Sequence, residues 1–232
     1  MKVKLYKPFE HWYHGGTIWL YSDTHFQTDE EMEKFFNWPT KEERLNLINK
    51  CVTKNDSFIL LGDVGNELDL ISKIRADYKV LITGNHDKGV SNYIKKEKFI
   101  DWMYPDEAKA ECIKHTDWYV KDSHKLKVGV YCKDGYFDEV YDGPLFIADK
   151  ILLSHERIKL PFCVNIHGHE HCGTRIGIAV YENHVSYSYN IAADVIDFIP
   201  VRLDKLVQEH PLKDIPSIHR LTIDRATELK GE

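Results

Sequence analysis

The sequence predicts an α/β fold organised around a mostly parallel sheet. Three observations predict it. Short apolar runs of strand length recur along the chain, helix-forming stretches separate the first of them, and each run stops abruptly at a polar turn.

The first run is Thr17-Ile18-Trp19-Leu20-Tyr21, β-branched and aromatic, ending at Ser22-Asp23. Helices are expected over residues 29–36 and 40–51. In the second, Thr40 stands three residues before Glu43 and ahead of Leu45, Leu47 and Ile48, the pattern of a capping box. Ser57-Phe58-Ile59-Leu60-Leu61 is continuously apolar after its first residue, as a strand buried on both faces would be, and Gly62-Asp63 stops it. A helix over residues 68–77 leads to Lys79-Val80-Leu81-Ile82, stopped by Gly84-Asn85. The second half is richer in strands, expected over 125–131, 145–148, 151–153, 162–166, 176–180 and 185–191, with turn signals at Asp134-Gly135 and Asp142-Gly143-Pro144. A short helix is expected over 201–209. One domain is expected over residues 1–210, and a polar, proline-punctuated tail over 211–232.

Composition limits the function classes. The 232 residues are 43% hydrophobic and 29% charged, enough for a full core. The formal charge of −6 disfavours a partner held by a long run of phosphates, because counterion release rewards a basic surface. The densest positive run, Lys95-Lys96-Glu97-Lys98, reads as a solvated helix face. Five cysteines, an odd number without C-x-x-C spacing, indicate neither a disulfide framework nor a zinc knuckle, so a reduced, cytoplasmic setting is expected. No apolar run follows the N-terminal lysines and no stretch approaches a membrane span, so neither a signal peptide nor a membrane partner is expected.

The strand ends carry the chemistry. In an α/β sheet, sites gather beyond the carboxyl ends of strands. Here those ends hold Asp23-Thr24-His25, Gly62-Asp63, Gly84-Asn85-His86-Asp87, His155 and Gly168-His169-Glu170-His171. Each cluster alone is also ordinary turn chemistry. The last is the sharpest, because three histidines fall within five residues if His167 is counted. On extended backbone, residues two apart point the same way, so Asp23 with His25 could reach one ion, and His169 with His171 could point into one cavity. Together the clusters offer imidazole, carboxylate and amide donors, a set suited to manganese, iron or zinc rather than calcium or magnesium. A shared carboxylate can hold two such ions about 3.5–4 Å apart, an arrangement used to hydrolyse phosphate esters.

In this series the sequence resembles the calcineurin-like metallophosphoesterases, whose motifs run D-x-H, G-D, G-N-H-[D/E], an isolated H, and G-H-x-H. All five appear in order across residues 17–175, and residues 190–200 also resemble the segment that follows in small single-domain bacterial and phage members. The resemblance implies a four-layer α/β/β/α sandwich of two mixed sheets flanked by helices. It implies two divalent cations, manganese first, with iron, zinc, nickel or cobalt as alternatives. Asp23, His25, Asp63 and His171 would hold one, and Asp63, Asn85, His155 and His169 the other, with Asp63 as the bridge.

The function implied is hydrolysis of a small, nucleotide-like phosphate ester, chiefly a diester with monoesters open, by in-line attack of metal-bound hydroxide. His86 would protonate the leaving group, oriented by Asp87. Arg157, Lys88 and Arg175 are candidate phosphate contacts, weighed against the solvated role usual for such side chains. Specificity would lie in residues 26–40, 88–111 and 133–143. Two alternatives stay open: a nuclease on short or single-stranded ends, with Trp12, Tyr13, Phe26 or Trp38 stacking a base, and a non-catalytic scaffold of the same fold. His167 is expected to pack rather than coordinate.

Overall fold

The computed structural model describes residues 2–27, 37–89, 92–115, 117–181, 184–209 and 212–215. The elements run β1 (Ile18–Tyr21), α1 (Lys41–Cys51), β2 (Ser57–Leu60), α2 (Asp69–Ser72), β3 (Tyr78–Ile82), β4 (Lys96–Met103), α3 (Pro105–Lys114), β5 (Trp118–His124), β6 (Lys127–Asp134), β7 (Glu139–Tyr141), β8 (Leu145–Ala148), β9 (Ile151–Leu153), β10 (Val164–His167), β11 (Ile176–Tyr181), β12 (His184–Asn190), β13 (Val201–Arg202) and α4 (Leu203–Glu209). The class is α/β, with three sheets and few helices among the described residues.

Sheet one has the order β13-β1-β2-β3-β7 and sheet two β11-β12-β10-β9-β8, while β4-β6-β5 form a separate sheet. Both sheets mix parallel and antiparallel pairs. In sheet one, β1, β2, β3 and β7 are mutually parallel and β13 is antiparallel. In sheet two, only the β12-β10-β9 pairs are parallel. The expected parallel sheet is thus two mixed ones. Their cores are the continuous apolar runs: every residue of β2, β9 and β10 is buried. The ends of β1 and β12 meet in a parallel bridge between Ser22 and Ala192, which joins the carboxyl edges of both sheets.

Local signals explain most boundaries. The Thr40–Glu43 capping box is complete, with Glu43 N–H donating to Thr40 Oγ1 at 3.2 Å and Thr40 N–H to Glu43 Oε2 at 2.9 Å. The helix expected over 68–77 shrinks to the single turn of α2. Asn49 of α1 takes the backbone groups that would continue it, donating from Nδ2 to Lys73 O and accepting Arg75 N–H on Oδ1, both at 2.9 Å. The helix expected over 29–36 and most of the tail at 211–232 lie outside the described residues.

Four elements went unanticipated, the short edge strand β7 among them, and the first two residues of the helix expected over 201–209 form β13 instead. β4, α3 and β5 occupy a stretch that reads as polar loop, because their strands are solvated on much of both faces. Lys96, Glu97 and Lys98 are solvated as expected, but on a strand, paired with Asp134, Lys133 and Cys132 of β6. All five cysteines are free thiols. Among the described residues no helix is long and apolar enough to cross a membrane.

Candidate metal centre

The carboxyl ends of β1, β2, β3, β9, β10 and β12 converge, and their following turns carry the expected donors. The route differs from the extended geometry expected for Asp23/His25 and His169/His171. Asp23, His25, Asp63 and His169 have φ values of 58°, 38°, 52° and 66°, in the left-handed region. The cause is backbone pairing beyond the strands: Asp23 and His25 N–H donate to Gly62 O and Asp63 O, both at 3.0 Å. The chain after β1 therefore coils along the chain after β2. After β10, Glu170 N–H bonds Gly168 O at 2.8 Å and His171 N–H bonds His169 O at 2.9 Å, a tight double turn. Non-glycine residues in this region each cost about 1–2 kcal/mol, and such strain is characteristic of sites held by their surroundings.

Two glycines are required by close approach. A Cβ on Gly84 would overlap Asp63 Oδ1, and one on Gly168 would overlap Ser22 Oγ and Asp23 Oδ2. The glycine that precedes each donor turn is thus what lets the carboxylates of a neighbouring strand reach in.

The donors form two groups, Asp23/His25/His171 and Asp63/His155/His169. In the first, His25 Nε2 and His171 Nε2 are 3.2 Å apart, with Asp23 Oδ1 3.8 Å and 3.6 Å from them respectively. In the second, His155 Nε2 is 3.2 Å from His169 Nδ1, 3.4 Å from Asp63 Oδ2 and 2.9 Å from Asn85 Oδ1. Asp63 Oδ2 is also 3.8 Å from His25 Nε2, so one oxygen faces both groups.

These spacings fit shared cations. With metal–nitrogen bonds of about 2.0–2.1 Å, ligand atoms lie roughly 2.9 Å apart on an octahedral centre and roughly 3.4 Å on a tetrahedral one. A second observation agrees: Asp23 Oδ1 is buried with no hydrogen-bond partner. A buried carboxylate oxygen aimed at two imidazole nitrogens and otherwise orphaned has the disposition of a ligand.

Electrostatics express the same convergence. Burial opposes ionisation of Asp63, but the His155 hydrogen bond and charge, His86 N–H and His25 together hold its carboxyl down at about 2. Burial alone would lower the His155 imidazole; Asp63 and Asp23 raise it instead to about 9. His25 goes the other way, to about 4, through burial and the neighbouring His171, His86 and Arg44. Burial pushes the Asp23 carboxyl up.

Supporting contacts fix the candidate donors. His155 Nδ1 donates to Leu61 O at 2.8 Å, which aims Nε2 into the site. His171 Nδ1 donates to Asp194 Oδ1 at 2.9 Å, and Asp194 Oδ2 accepts Cys172 N–H at 2.7 Å. Burial opposes ionisation of Asp194, but its bonds to His171 and Cys172 keep the carboxyl low, and it helps raise His171 against that imidazole's own burial. Carboxylate–histidine pairs of this kind orient metal ligands. Sequence reading missed Asp194. It follows β12 as the other clusters follow their strands, and that position was its signal. Asn190 Nδ2 donates to Glu170 O at 2.6 Å and steadies the His169–His171 turn.

Asp87 does not serve as expected. Its Oδ2 accepts N–H groups of Asp63 and Gly84 at 2.9 and 2.8 Å, and its Oδ1 accepts that of Val64 at 3.0 Å. Occupied by three backbone donors, the carboxylate holds the turn that presents Asp63 rather than orienting His86. His86 donates its own N–H to Asp63 Oδ1 at 3.1 Å, and its exposed imidazole lies edge-on to His25 with centroids 6.2 Å apart.

The candidate phosphate contacts are not brought together. Arg157 borders a cleft of about 280 Å³ shared with Asn85 and His155, but its guanidinium packs across Gly177 of β11. Lys88 is exposed. Arg175 lines a different depression, with Trp19, Pro200 and Arg202. Trp12 and Phe26 are fully buried, and Tyr13 donates its hydroxyl to Val3 O at 2.9 Å, so all three serve packing. Trp38 walls the site, its ring 6.0 Å from His25 and 5.3 Å from both His171 and Phe198. His167 is packed as expected, its Nδ1 donating to Gly168 O at 2.8 Å.

An α/β chain with donors gathered at the carboxyl edges of two sheets can be compared as a whole. No family model matches the chain, and no curated protein does. It is similar to the crystal structure of AQ665 from Aquifex aeolicus, described as a protein of unknown function, at 21% identity and a TM-score of 0.50, covering 83% of this chain and 98% of that one. At that identity the likeness concerns the fold alone.

Proposed function

We propose that the chain is a dinuclear metal-dependent hydrolase of small phosphate esters, a calcineurin-like metallophosphoesterase in class. The observation that carries the reading is Asp63 Oδ2, 3.4 Å from His155 Nε2 and 3.8 Å from His25 Nε2, where it can serve two ions at once. Asp23, His25, Asp63 and His171 would hold one cation, and Asp63, Asn85, His155 and His169 the other. The mixed nitrogen and oxygen donors favour manganese, with iron, zinc, nickel or cobalt as alternatives. The finer architecture proposed is the four-layer α/β/β/α sandwich, supported by the two mixed five-stranded sheets that share this edge.

Bound divalent cations supply Lewis acidity, acidify water and neutralise phosphoryl charge. The chain's own groups do the rest. Asp87 and His86 N–H fix the Asp63 carboxylate, and Asp194 fixes the His171 ring. Trp38 keeps solvent from one side of the imidazoles. The exposed His86 imidazole, outside both donor groups, is free to protonate the departing oxygen. The charge of −6 supports a small substrate over a long nucleic acid, and the free thiols fit a reduced, cytoplasmic setting.

The test is to purify the protein with manganese and assay bis-p-nitrophenyl phosphate together with a panel of nucleotide mono-, di- and cyclic esters. Wild type should turn over at least one ester and Asp63→Asn none. Full metal loading without hydrolysis of any ester would establish the scaffold reading instead.

A further inference from the structure

The inserted sheet of β4, β5 and β6 leaves a second polar cleft against sheet one, with a volume of about 690 Å³. It lies near the amino end of β3, whereas the metal donors follow the carboxyl end. Gly84 lies five residue steps beyond Lys79 along β3 and its extension, roughly 16 Å at about 3.3 Å per residue. A single phosphate therefore cannot occupy both places.

The lining is cationic in a chain of net charge −6. Lys73, Arg75, Lys79, Lys95 and Lys133 face three carboxylates, and two of those are already engaged. Asp138 Oδ2 accepts the Lys95 ammonium at 2.7 Å and the Lys79 backbone N–H at 2.9 Å. Asp77 pairs outward with Lys54 at 3.9 Å.

Lys79 is the unusual member. It is 6% exposed, yet its ammonium is hydrogen-bonded to a neutral acceptor, Ala76 O, at 2.6 Å. An ammonium has three donors, and among the described residues no ion pair includes this one. Burying a charge with no carboxylate at ion-pair distance is costly, and fold stability gains little from it. Burial, with repulsion from Lys95, lowers the Lys79 ammonium to about 8 against the more distant pull of Asp138 and Asp77. An incoming anion would remove both penalties.

We propose that this cleft binds the phosphate group of a small phosphorylated molecule, with Lys79 and Lys95 as its principal contacts and Lys133 at the rim. A tetrahedral dianion offers three or more acceptor oxygens to ammonium groups arriving from different strands, which a carboxylate cannot do. Tyr119 and Tyr136 complete the lining. The proposal is independent of the metal centre and stands whether or not that centre is hydrolytic.

The experiment is calorimetric titration of chelator-treated protein with inorganic phosphate, AMP and adenosine. Wild type and Asp63→Asn should bind phosphate and AMP at one site per chain, and adenosine should fail to bind. Lys79→Met and Lys95→Met should each weaken phosphate binding at least about tenfold, the scale of one lost charge-assisted contact. If Lys79→Met does not fold, Lys95→Met and Lys133→Gln decide the matter. Absence of saturable phosphate binding to wild type, binding unaltered in the lysine variants, or binding lost in Asp63→Asn would each overturn the assignment. Binding of AMP and adenosine but not phosphate would show a nucleoside site and overturn it equally.

Discussion

Replacing Asp87 by asparagine separates a positioning role from a catalytic partnership. The carboxylate accepts three backbone N–H groups, two on Oδ2 and one on Oδ1. An amide keeps one oxygen and sets an NH2 against the remaining N–H, so at least one backbone donor of the Asp63 turn is left unsatisfied. Hydrogen bonds to charged acceptors contribute about 1.5–3 kcal/mol each, and an unsatisfied buried donor costs a similar amount, so Asp87→Asn should lose about 2–4 kcal/mol. Urea unfolding of the metal-free protein reads that loss. Because the same turn presents Asp63, manganese affinity should also fall, by about 10- to 100-fold as for other supporting groups. Both effects should persist in the Asp87→Asn/His86→Ala double variant. The reasoning is refuted if Asp87→Asn keeps stability and manganese affinity and only slows turnover, by a factor that vanishes once His86 is gone. That outcome would return Asp87 to the role of orienting the imidazole.

Three further substitutions have stated outcomes. His86→Ala should slow ester hydrolysis by about 10²- to 10⁴-fold while metal content, measured by atomic emission, stays that of wild type; loss of metal would make His86 a ligand. Asp194→Asn should weaken manganese binding by about 10- to 100-fold, since the amide no longer both charges and orients His171, and isothermal titration measures it. Lys79→Met should stabilise the protein at pH 7 in chloride buffer, because the folded ammonium, at about 8, lies below its ordinary 10.5. The sign is that of a penalised charged form: the penalty is complete below about pH 8 and disappears as pH rises through 10.5. The stability gap between variant and wild type should thus be about 3 kcal/mol at pH 7 and close by pH 10–11.

The residues legible in the sequence were those whose role follows from position at a strand end. Asp23, His25, Asp63, Asn85, His155, His169 and His171 could be read together because each follows a run apolar enough to announce its strand. What could not be read is how the turns achieve the convergence. The left-handed conformations of Asp23 and Asp63 arise from backbone pairing between β1 and β2 extensions, a long-range contact with no local signature. Asp87 illustrates the limit well. Its adjacency to His86 suggests a partnership, but side chains of neighbouring residues in a tight turn diverge, and this one turns back to the strand loop 24 residues earlier. The inserted sheet escaped because solvated strands such as β4 and β5 lack an apolar face to mark them. α2 stopped early because of Asn49, which lies in a different helix.

Each donor group draws on both sheets. Asp23 and His25 follow β1 in sheet one and His171 follows β10 in sheet two; Asp63 follows β2 in sheet one, with His155 and His169 from sheet two. A partly opened form that separates the sheets therefore splits both groups at once and retains no complete one. Binding confined to the closed form stabilises it by about 2.7 kcal/mol per ion at a free concentration one hundred times Kd. Hydrogen exchange can locate that stabilisation. Adding manganese to chelated protein should slow amide exchange in β10 and β12 as much as in β1 and β2, by about a hundredfold for the first ion. Were the ion held by the turns of one sheet alone, protection would rise in that sheet and leave the other free to open. Manganese-dependent protection confined to β1, β2 and β3 would show that the two sheets are not stapled by shared ligands, and the bridging geometry of Asp63 would then have to be given up.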